Sequence, residues 1–480
     1  MKILLINPPY NGKSIERRHR CTRIDPNDWV HPPLPLMCLY SVLEEKGAKV
    51  ELVDAIHKKL NHQDILKICQ KIKPEVVVSW TGNFSHPIDI QILQVIKQEF
   101  PKIFTVLTGT DIISAKPEIF LAKDFIDLVV IGEAELSMDD LVDFWQGKKK
   151  KSEIRNAAYR EDNGNYTFGP KEQLQDLDSI PFPNRQVVSN EYYIGFPFLS
   201  EKFTDILTSR GCPFHCTFCT SSLYWGQGYR VRSAKNIVDE IQQCIEKFGI
   251  ETFFIADDEF AINQQRTLEM CDEIRKRQLK IKWACQMRVT TPTEELIKQM
   301  TEAGCVYIHF GVEFGTQKEL DFFKKDITPE QTIKAFELTK KYRIENCATV
   351  IIGTPEGTKE DIKATVDLVK KIKPDYIHIS PLIPIVGSPY YHQLKEEGRL
   401  KNEKYNQYVK PNIMFIPKNM TEDEIRKEIS RNWLKLSFRP YYIWGHLKRA
   451  IKKRDFHFFK EATKASFWII KNFIRYKPLG

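Results

Sequence analysis

Three cysteines at C-x3-C-x2-C spacing constrain this chain more than any other feature. They are Cys212, Cys216 and Cys219, within Cys212-Pro213-Phe214-His215-Cys216-Thr217-Phe218-Cys219. They follow a short apolar run, Ile206-Leu207, and the turn Ser209-Arg210-Gly211. Such a loop wraps three thiolates around one iron–sulfur cluster. With three ligands a cubane keeps one iron open, and an open iron binds a reactant. The motif therefore points to chemistry more than to electron storage. A structural zinc ion would want a fourth Cys or His close by. His215 lies inside the loop, where its neighbours already occupy the turn.

The scaffold for this loop shows as alternation. From about residue 203, strand patterns are expected at 203–208, 252–256, 281–286, 305–310, 347–352 and 375–379. Helix patterns fall between them at 234–248, 264–278, 293–303, 330–342 and 358–371. Six such units are too few for the eight-stranded closed barrel. Upstream, apolar runs at 2–6, 49–53, 75–79, 103–107 and 127–131 read as buried parallel strands. Helical patterns at 34–46, 62–72 and 87–99 separate them, so a doubly wound α/β sheet covered on both faces is expected. Ligands of such sheets bind at the carboxyl ends of the strands. Those ends carry Asn7-Pro8-Pro9, Trp80-Thr81-Gly82-Asn83 and Thr108-Gly109-Thr110-Asp111, small residues that let a flat cofactor approach the backbone. Between the two series, four lysines at 148–151, Asn163-Gly164-Asn165 and Pro181-Phe182-Pro183 mark a turn-rich connector with a hairpin. The expected division is 1–145, an α/β domain; 146–200, the connector; 201–395, the strand–helix barrel; and 396–480, a helical region broken at Pro440.

Met1-Lys2 runs straight into the strand-like Ile3-Leu4-Leu5-Ile6, and no run reaches the ~18 apolar residues of a membrane span. Eleven cysteines, an odd number scattered outside the triad, argue for a reducing cytosol rather than a disulfide framework. The net charge of +9 is uneven: thirteen Lys/Arg and two Asp/Glu fall in residues 431–480, leaving the rest of the chain at −2.

The cysteine motif, with an aromatic before its last cysteine, resembles the signature of the radical S-adenosylmethionine (AdoMet) superfamily. Further segments resemble its cobalamin-binding branch: Ile6-Asn7-Pro8-Pro9, Pro32-Pro33-Leu34-Pro35-Leu36, Gly132-Glu133-Ala134-Glu135, Pro181-Phe182-Pro183, Asp257-Asp258-Glu259-Phe260, Gly311-Val312-Glu313 and Gly353-Thr354-Pro355. The resemblance covers about residues 1–390. It implies a Rossmann-like cobalamin-binding domain followed by a partial (β/α)6 barrel open on one side. It also implies a 4Fe–4S cluster, AdoMet, cobalamin and an external one-electron donor of flavodoxin or ferredoxin type. In such enzymes the open iron chelates AdoMet, and one-electron transfer yields a 5′-deoxyadenosyl radical. Cys212, Cys216 and Cys219 match the cluster ligands, and Phe218 matches the aromatic beside the adenine, a residue that also packs under the loop. Asp257, Asp258 and Glu259 fall where relatives contact the AdoMet ammonium. Arg288, after the third barrel strand with Gln286, would neutralise a carboxylate. Glu313 falls where a polar residue contacts the ribose or methionine part, and Gly353 where a side chain would crowd the adenine. Asn7, Trp80, Gly109 and Asp111 are the corrin-facing candidates. The D-x-H-x-x-G loop of cobalamin mutases is absent; Asp54 and His57 stand at D-x-x-H and lack the glycine. A protein-derived axial ligand is therefore not implied.

The expected activity is cobalamin-dependent methyl transfer to an unactivated carbon of a small-molecule or lipid substrate. Radical cyclisation or rearrangement is the alternative within the family. Methylthiolation would need a second cluster, for which Cys21, Cys38 and Cys69 offer no matching loop. A non-enzymatic electron carrier would prefer four cysteine ligands. In the tail, twelve aromatics, from Trp433, Phe438, Tyr441, Tyr442 and Trp444 to Tyr476, interleave with the thirteen cations. Basic aromatic helices lie on anionic membrane surfaces; a cap packed over the barrel is the competing account, and nucleic acid is disfavoured. The expected location is the cytoplasm, with peripheral contact at the inner membrane surface.

Overall fold

The structure is a computed structural model that describes residues 1–10, 15–17, 22–24, 30–82, 85–110, 112, 116–188, 193, 201–226, 228–401 and 413–453. The first apolar runs form β1 (Lys2–Asn7), β2 (Lys49–Asp54), β3 (Val76–Thr81), β4 (Phe104–Gly109) and β5 (Leu128–Val130). They pair in parallel in the order β2-β1-β3-β4-β5. The helices α1 (Leu34–Glu45), α2 (His62–Ile72), α3 (Gln91–Glu99), α4 (Pro117–Leu121) and α5 (Ala134–Trp145) cover it. The apolar residues of α1 and α5 pack on one face and those of α2, α3 and α4 on the other. Burial on both faces is why the strands read as continuous apolar runs rather than alternating ones. The sheet is doubly wound, in the flavodoxin-type order, with its switch point between β1 and β3.

Two local readings change. The helix expected over 87–99 divides at Ile90 into a short turn, His86–Asp89, and α3. Asp89, fully buried, turns back to accept from the Thr81 hydroxyl (3.1 Å), the Gly82 N–H (3.1 Å) and the Ser85 hydroxyl (2.5 Å). The connector hairpin, β6 (Ala157–Arg160) and β7 (Tyr166–Phe168), does not stand apart: β6 pairs antiparallel with β5 and extends the sheet to seven strands.

The second series forms β8 (Phe203–Ile206), β9 (Thr252–Ile255), β10 (Lys282–Met287), β11 (Cys305–Glu313), β12 (Glu345–Ile351) and β13 (Tyr376–Ser380). All five pairings are parallel and sequential, and β8 does not pair with β13, so the barrel is open. The helices between are α6 (Ala234–Phe248), α7 (Gln264–Lys276), α8 (Glu294–Glu302), α9 (Pro329–Lys341) and α10 (Lys359–Ile372). Each starts at a side-chain cap written in the sequence. Ser233, Asn263 and Thr293 accept from the third residue of their helices, and Thr328 and Thr358 form capping boxes with Gln331 and Asp361. Outward strand residues such as Phe253, Ile255, Trp283, Ile308 and Phe310 pack on these helices. Inward residues of the lower barrel, Phe254, Ala284, Tyr307 and Cys347, pack with the N-terminal unit.

The last described elements are α11 (Glu422–Ser437) and α12 (Pro440–Lys453), with Pro440 opening the second helix. α11 lies along α10 and β13, and its buried Ile425 and Ile429 join the barrel core. This part of the C-terminal region is therefore a cap.

Candidate active site

The cysteine loop leaves β8 through Thr208 and Ser209, and both are clamped. Fully buried Asp257, just past β9, accepts from the N–H groups of Thr208 (2.6 Å) and Ser209 (3.1 Å) and from both hydroxyls (2.5 Å each). Burial raises its carboxyl pKa while these bonds work against that rise. Arg210 comes next, buried and ion-paired to Glu135 (2.6 Å) and Glu133 (3.2 Å) of the N-terminal unit. Beyond the clamp, Cys212, Cys216 and Cys219 are half-buried. The Cys219 N–H donates to the Cys216 carbonyl (3.0 Å), and the Thr217 N–H to the Phe323 carbonyl (3.0 Å).

The donor set fits a cluster better than a single ion. Tetrahedral zinc–thiolate bonds put sulfurs about 3.8 Å apart. Among the described residues, the one group of three or more metal-ligating side chains converging within 4.8 Å is Asp139, Asp140 and Asp143, so the three sulfurs do not all lie within that distance of one another. Burial pushes the Cys212 thiol up to about 12, the Phe214 N–H opposes this, and Glu259 adds to it. A bound metal would supply the positive charge this thiolate lacks.

Around the loop, Asp258 accepts from the Ser221 hydroxyl and Glu259 from the Arg288 N–H. Asp257, by contrast, spends its oxygens on the clamp, whereas the charges of Glu259 and Asp258 act on Cys212. Among the described residues, no carboxylate pairs with the Arg288 side chain. It donates to the carbonyls of Lys325 and Asp326 (3.2 Å to the latter), lies 3.6 Å over the Phe214 ring and reaches to 3.8 Å from the Cys216 sulfur. Its buried Nε has no partner. Glu313 takes a left-handed backbone (φ 60°) and pairs with buried Lys325 at 3.1 Å. Burial lowers the Lys325 pKa, but Glu313 and Cys216 outweigh it and the net shift is upward. Phe218 packs edge-on against Phe314 and Phe323. Gly353 (φ +83°) is explained within the chain: a Cβ there would strike Ile425 of α11.

The N-terminal candidates gather at the strand ends of their sheet. Asn7 and Asp54, side by side across β1 and β2, are bonded at 2.8 Å, and the buried Tyr193 hydroxyl donates to Asp54 (3.3 Å). Gly109 (φ +138°) is required by the sheet itself, since a Cβ would run into the backbone of Thr81 on β3. Trp80 and Thr108 are register partners on β3 and β4, both buried, and neither Trp80 Nε1 nor Thr108 Oγ1 has a hydrogen-bond partner. Orphaned buried groups at a strand end on the switch-point side fit a polar cofactor. His57 lies with its ring 4.5 Å from Tyr193. Asp111 and Asn83 fall outside the described residues, as does Cys21.

Several residues that build the site had no role assigned from the sequence. Lys325, Phe214 and Arg210 belong to it, as do the pairs between units: His31 with Asp205 (2.9 Å) and Arg230 with Glu133 (2.8 Å). Glu240 of α6 adds a third junction, pairing with Arg232 and with Arg185 of the connector (2.7 Å to the latter). Gly132-Glu133-Ala134-Glu135 was the one available signal, two acids at a helix start with no local cation. A groove of about 920 Å³ along α1 and α6, bordered by Pro181-Phe182-Pro183, holds none of these residues except Arg185.

Residues 206–369 match the family model of the radical SAM superfamily. The chain is 30% identical over 463 residues to an uncharacterized methyltransferase of Pyrococcus horikoshii, spanning 94% of this chain and 97% of that protein. It is 26% identical over 491 residues to an anaerobic magnesium-protoporphyrin IX monomethyl ester cyclase of Cereibacter sphaeroides, spanning 98% and 78%. The solved structure of the radical S-adenosylmethionine methyltransferase TsrM from Kitasatospora setae, with cobalamin and a 4Fe–4S cluster bound, matches with a TM-score of 0.71 at 16% identity over 90% of each chain. That likeness shows a shared fold.

Proposed function

The chain belongs to the radical SAM superfamily and has the fold of its cobalamin-dependent members, and from that premise we propose that it transfers a methyl group from AdoMet to an unactivated carbon of a biosynthetic substrate. Cys212, Cys216 and Cys219 hold a 4Fe–4S cluster, and the N-terminal sheet holds a corrin at the ends of β1, β3 and β4. When bound, the cluster supplies the electron that cleaves AdoMet and the corrin carries the methyl group. Asp258 and Glu259 hold negative charge where the AdoMet ammonium would lie. Glu313, fixed by Lys325, presents oxygens to its polar parts, and the Arg288 Nε offers a donor. Phe218 supports the loop and borders the adenine. Trp80 Nε1 and Thr108 Oγ1 donate to the corrin's polar periphery. An external donor of flavodoxin or ferredoxin type supplies the electron.

The observation that carries the reading is the clamp between the two sites. Arg210, two residues before Cys212, is gripped by Glu133 and Glu135, which stand at the start of α5 directly after β5. Two cofactors that must hand a group between them need a fixed separation, since misplacement alone costs orders of magnitude in rate. The test is anaerobic turnover with methyl-labelled AdoMet in the presence of cobalamin. Label on the corrin supports methyl transfer. Formation of 5′-deoxyadenosine with no label on the corrin would favour radical cyclisation; the Cereibacter relative is a cyclase.

A second reading concerns location, and α12 favours it. No described helix is long and apolar enough to cross a membrane. Yet Phe438, Trp444 and Ile451 are 59%, 56% and 59% exposed, beside Arg439 and Lys448. Rings at headgroup level with cations on phosphates describe a peripheral contact, worth about 1 kcal/mol per cation near an anionic surface, and a lipid substrate would fit it. Flotation with anionic liposomes should carry the full chain at low salt and release it at high salt. Protein that stays soluble in both would leave α12 as part of the cap.

A further inference from the structure

The inner face of the barrel carries a polar band that the assignments above do not use. Gln286 on β10 and His309 on β11 are register partners, as are Thr349 on β12 and His378 on β13. A hydrogen bond between His309 Nε2 and the Thr349 hydroxyl joins the two pairs. Their chain neighbours Cys285, Ile308, Phe310, Ala348 and Val350 are buried against the helices. Alternation along the strands therefore turns the four polar side chains inward. Gln286, His309 and Thr349 are half-buried and His378 is exposed, whereas the layer beneath, Ala284, Tyr307 and Cys347, is buried against the N-terminal unit. Arg288 and Glu313, already placed near the sulfurs, stand further along β10 and β11. The band thus separates a dry floor from the cysteine loop.

Its charge says what it suits. None of the four is a carboxylate, and the inward carboxylates elsewhere on these strands have partners: Asp205 has His31, Glu313 has Lys325, and Glu345 accepts from the Tyr376 hydroxyl at 3.1 Å. A cationic substrate group would find no counter-charge in the band. An oxyanion would find the Gln286 amide, a hydroxyl and two imidazoles, each of which gains a charge-assisted bond on protonation. We propose that Gln286, His309, Thr349 and His378 grip an oxyanion of the acceptor, a carboxylate or phosphate group, and so hold the acceptor inside the barrel. This rests on the methyl-transfer reading.

The test follows ring-13C-labelled histidines by NMR in the full-length, anaerobically reconstituted protein. The two lines are assigned among the eleven histidines with His309→Gln and His378→Gln, each checked for wild-type iron content. Should His309→Gln lose its iron, Thr349→Val assigns the His309 line by removing its partner. Inorganic phosphate or acetate should shift both lines saturably, and sodium chloride at equal ionic strength should not. A response to phosphate alone or to acetate alone identifies the source of the oxyanion. The proposal is overturned if neither ion moves the lines, or if methylammonium chloride moves them instead. The same wild-type preparation is assayed for 5′-deoxyadenosine. Cleavage without an ion response removes the band alone; an ion response without cleavage removes the methyl-transfer reading and leaves an anion site.

Discussion

The mouth of the barrel and the strand ends of the N-terminal sheet are built in opposite ways. At the mouth, ligand-bearing side chains sit on a loop, and the loop is held by buried charges: Asp257 grips Thr208 and Ser209, and Arg210 is gripped by Glu133 and Glu135. At the strand ends the backbone is fixed by the sheet, Gly109 is pinned by Thr81, and Trp80 and Thr108 present polar atoms without partners. The difference follows from what each region would hold. A cluster is assembled on covalent ligands, so its site needs particular side chains at fixed spacing. A corrin arrives whole and is held by shape and scattered hydrogen bonds, so its site needs room and unspent donors.

The sharpest way to break this contrast is at the mouth. Cys216→Ala should remove the cluster iron and with it all AdoMet cleavage, read by iron analysis and by 5′-deoxyadenosine, while corrin retention by gel filtration is unchanged. Loss of the corrin as well would show that the two regions do not load independently.

Next in size is the clamp that joins them. Arg210→Ala takes its cation from half-buried Glu135 and leaves buried Glu133 with Arg230, and breaking a buried pair from one side costs about 3–5 kcal/mol. A denaturant midpoint should fall accordingly, with iron loading reduced. Glu135→Gln, which keeps the shape, should lose less. Equal losses would mean that packing around Arg210, including Trp225 at 5.1 Å, matters more than charge.

A buried acid of the barrel, Glu319, adds a pH-dependent contribution to stability. Burial, with Asp361 nearby, raises the Glu319 carboxyl to about 7 against bonds from Thr316 and Thr354. The folded state therefore holds this proton where the unfolded chain has lost it. Its contribution is fully present below pH 4.5 and lost as pH rises through 7, by at most about 3 kcal/mol. Glu319→Gln should flatten the stability profile between those values; a profile as steep as wild type would assign the slope elsewhere.

The smallest effect belongs to the strand ends. Trp80→Phe removes an unpaired donor and trims the indole to a phenyl ring. Relief of the unpaired donor offsets part of the cavity left in the core, while corrin affinity falls by about 1 kcal/mol, the worth of one hydrogen bond. A stability loss with unchanged affinity would make Trp80 a core residue only.

The same contrast governs what the sequence disclosed. The barrel and the cysteines were legible because strand–helix alternation is local and the C-x3-C-x2-C spacing has few uses. Lys325, Phe214 and Arg210 were not, because their partners lie on other elements and no spacing links them. Asp257 looked like a ligand-facing acid from its place after β9, and only its four bonds show that it secures the loop. Gly353 likewise read as room for a cofactor, while α11, far along the chain, fills that room with Ile425. The β6–β7 hairpin was visible as a hairpin, but its pairing with β5 depends on an edge that no local pattern announces.

The central claim is that the three cysteines mount a cluster that cleaves AdoMet. Its most direct measurement is a single-turnover reaction of the anaerobically reconstituted full chain with AdoMet and a low-potential reductant, with 5′-deoxyadenosine quantified against the Cys212→Ala protein. The account predicts 5′-deoxyadenosine from the wild-type chain and none from the variant. A wild-type protein that carries its iron, accepts the electron and leaves AdoMet intact would contradict it.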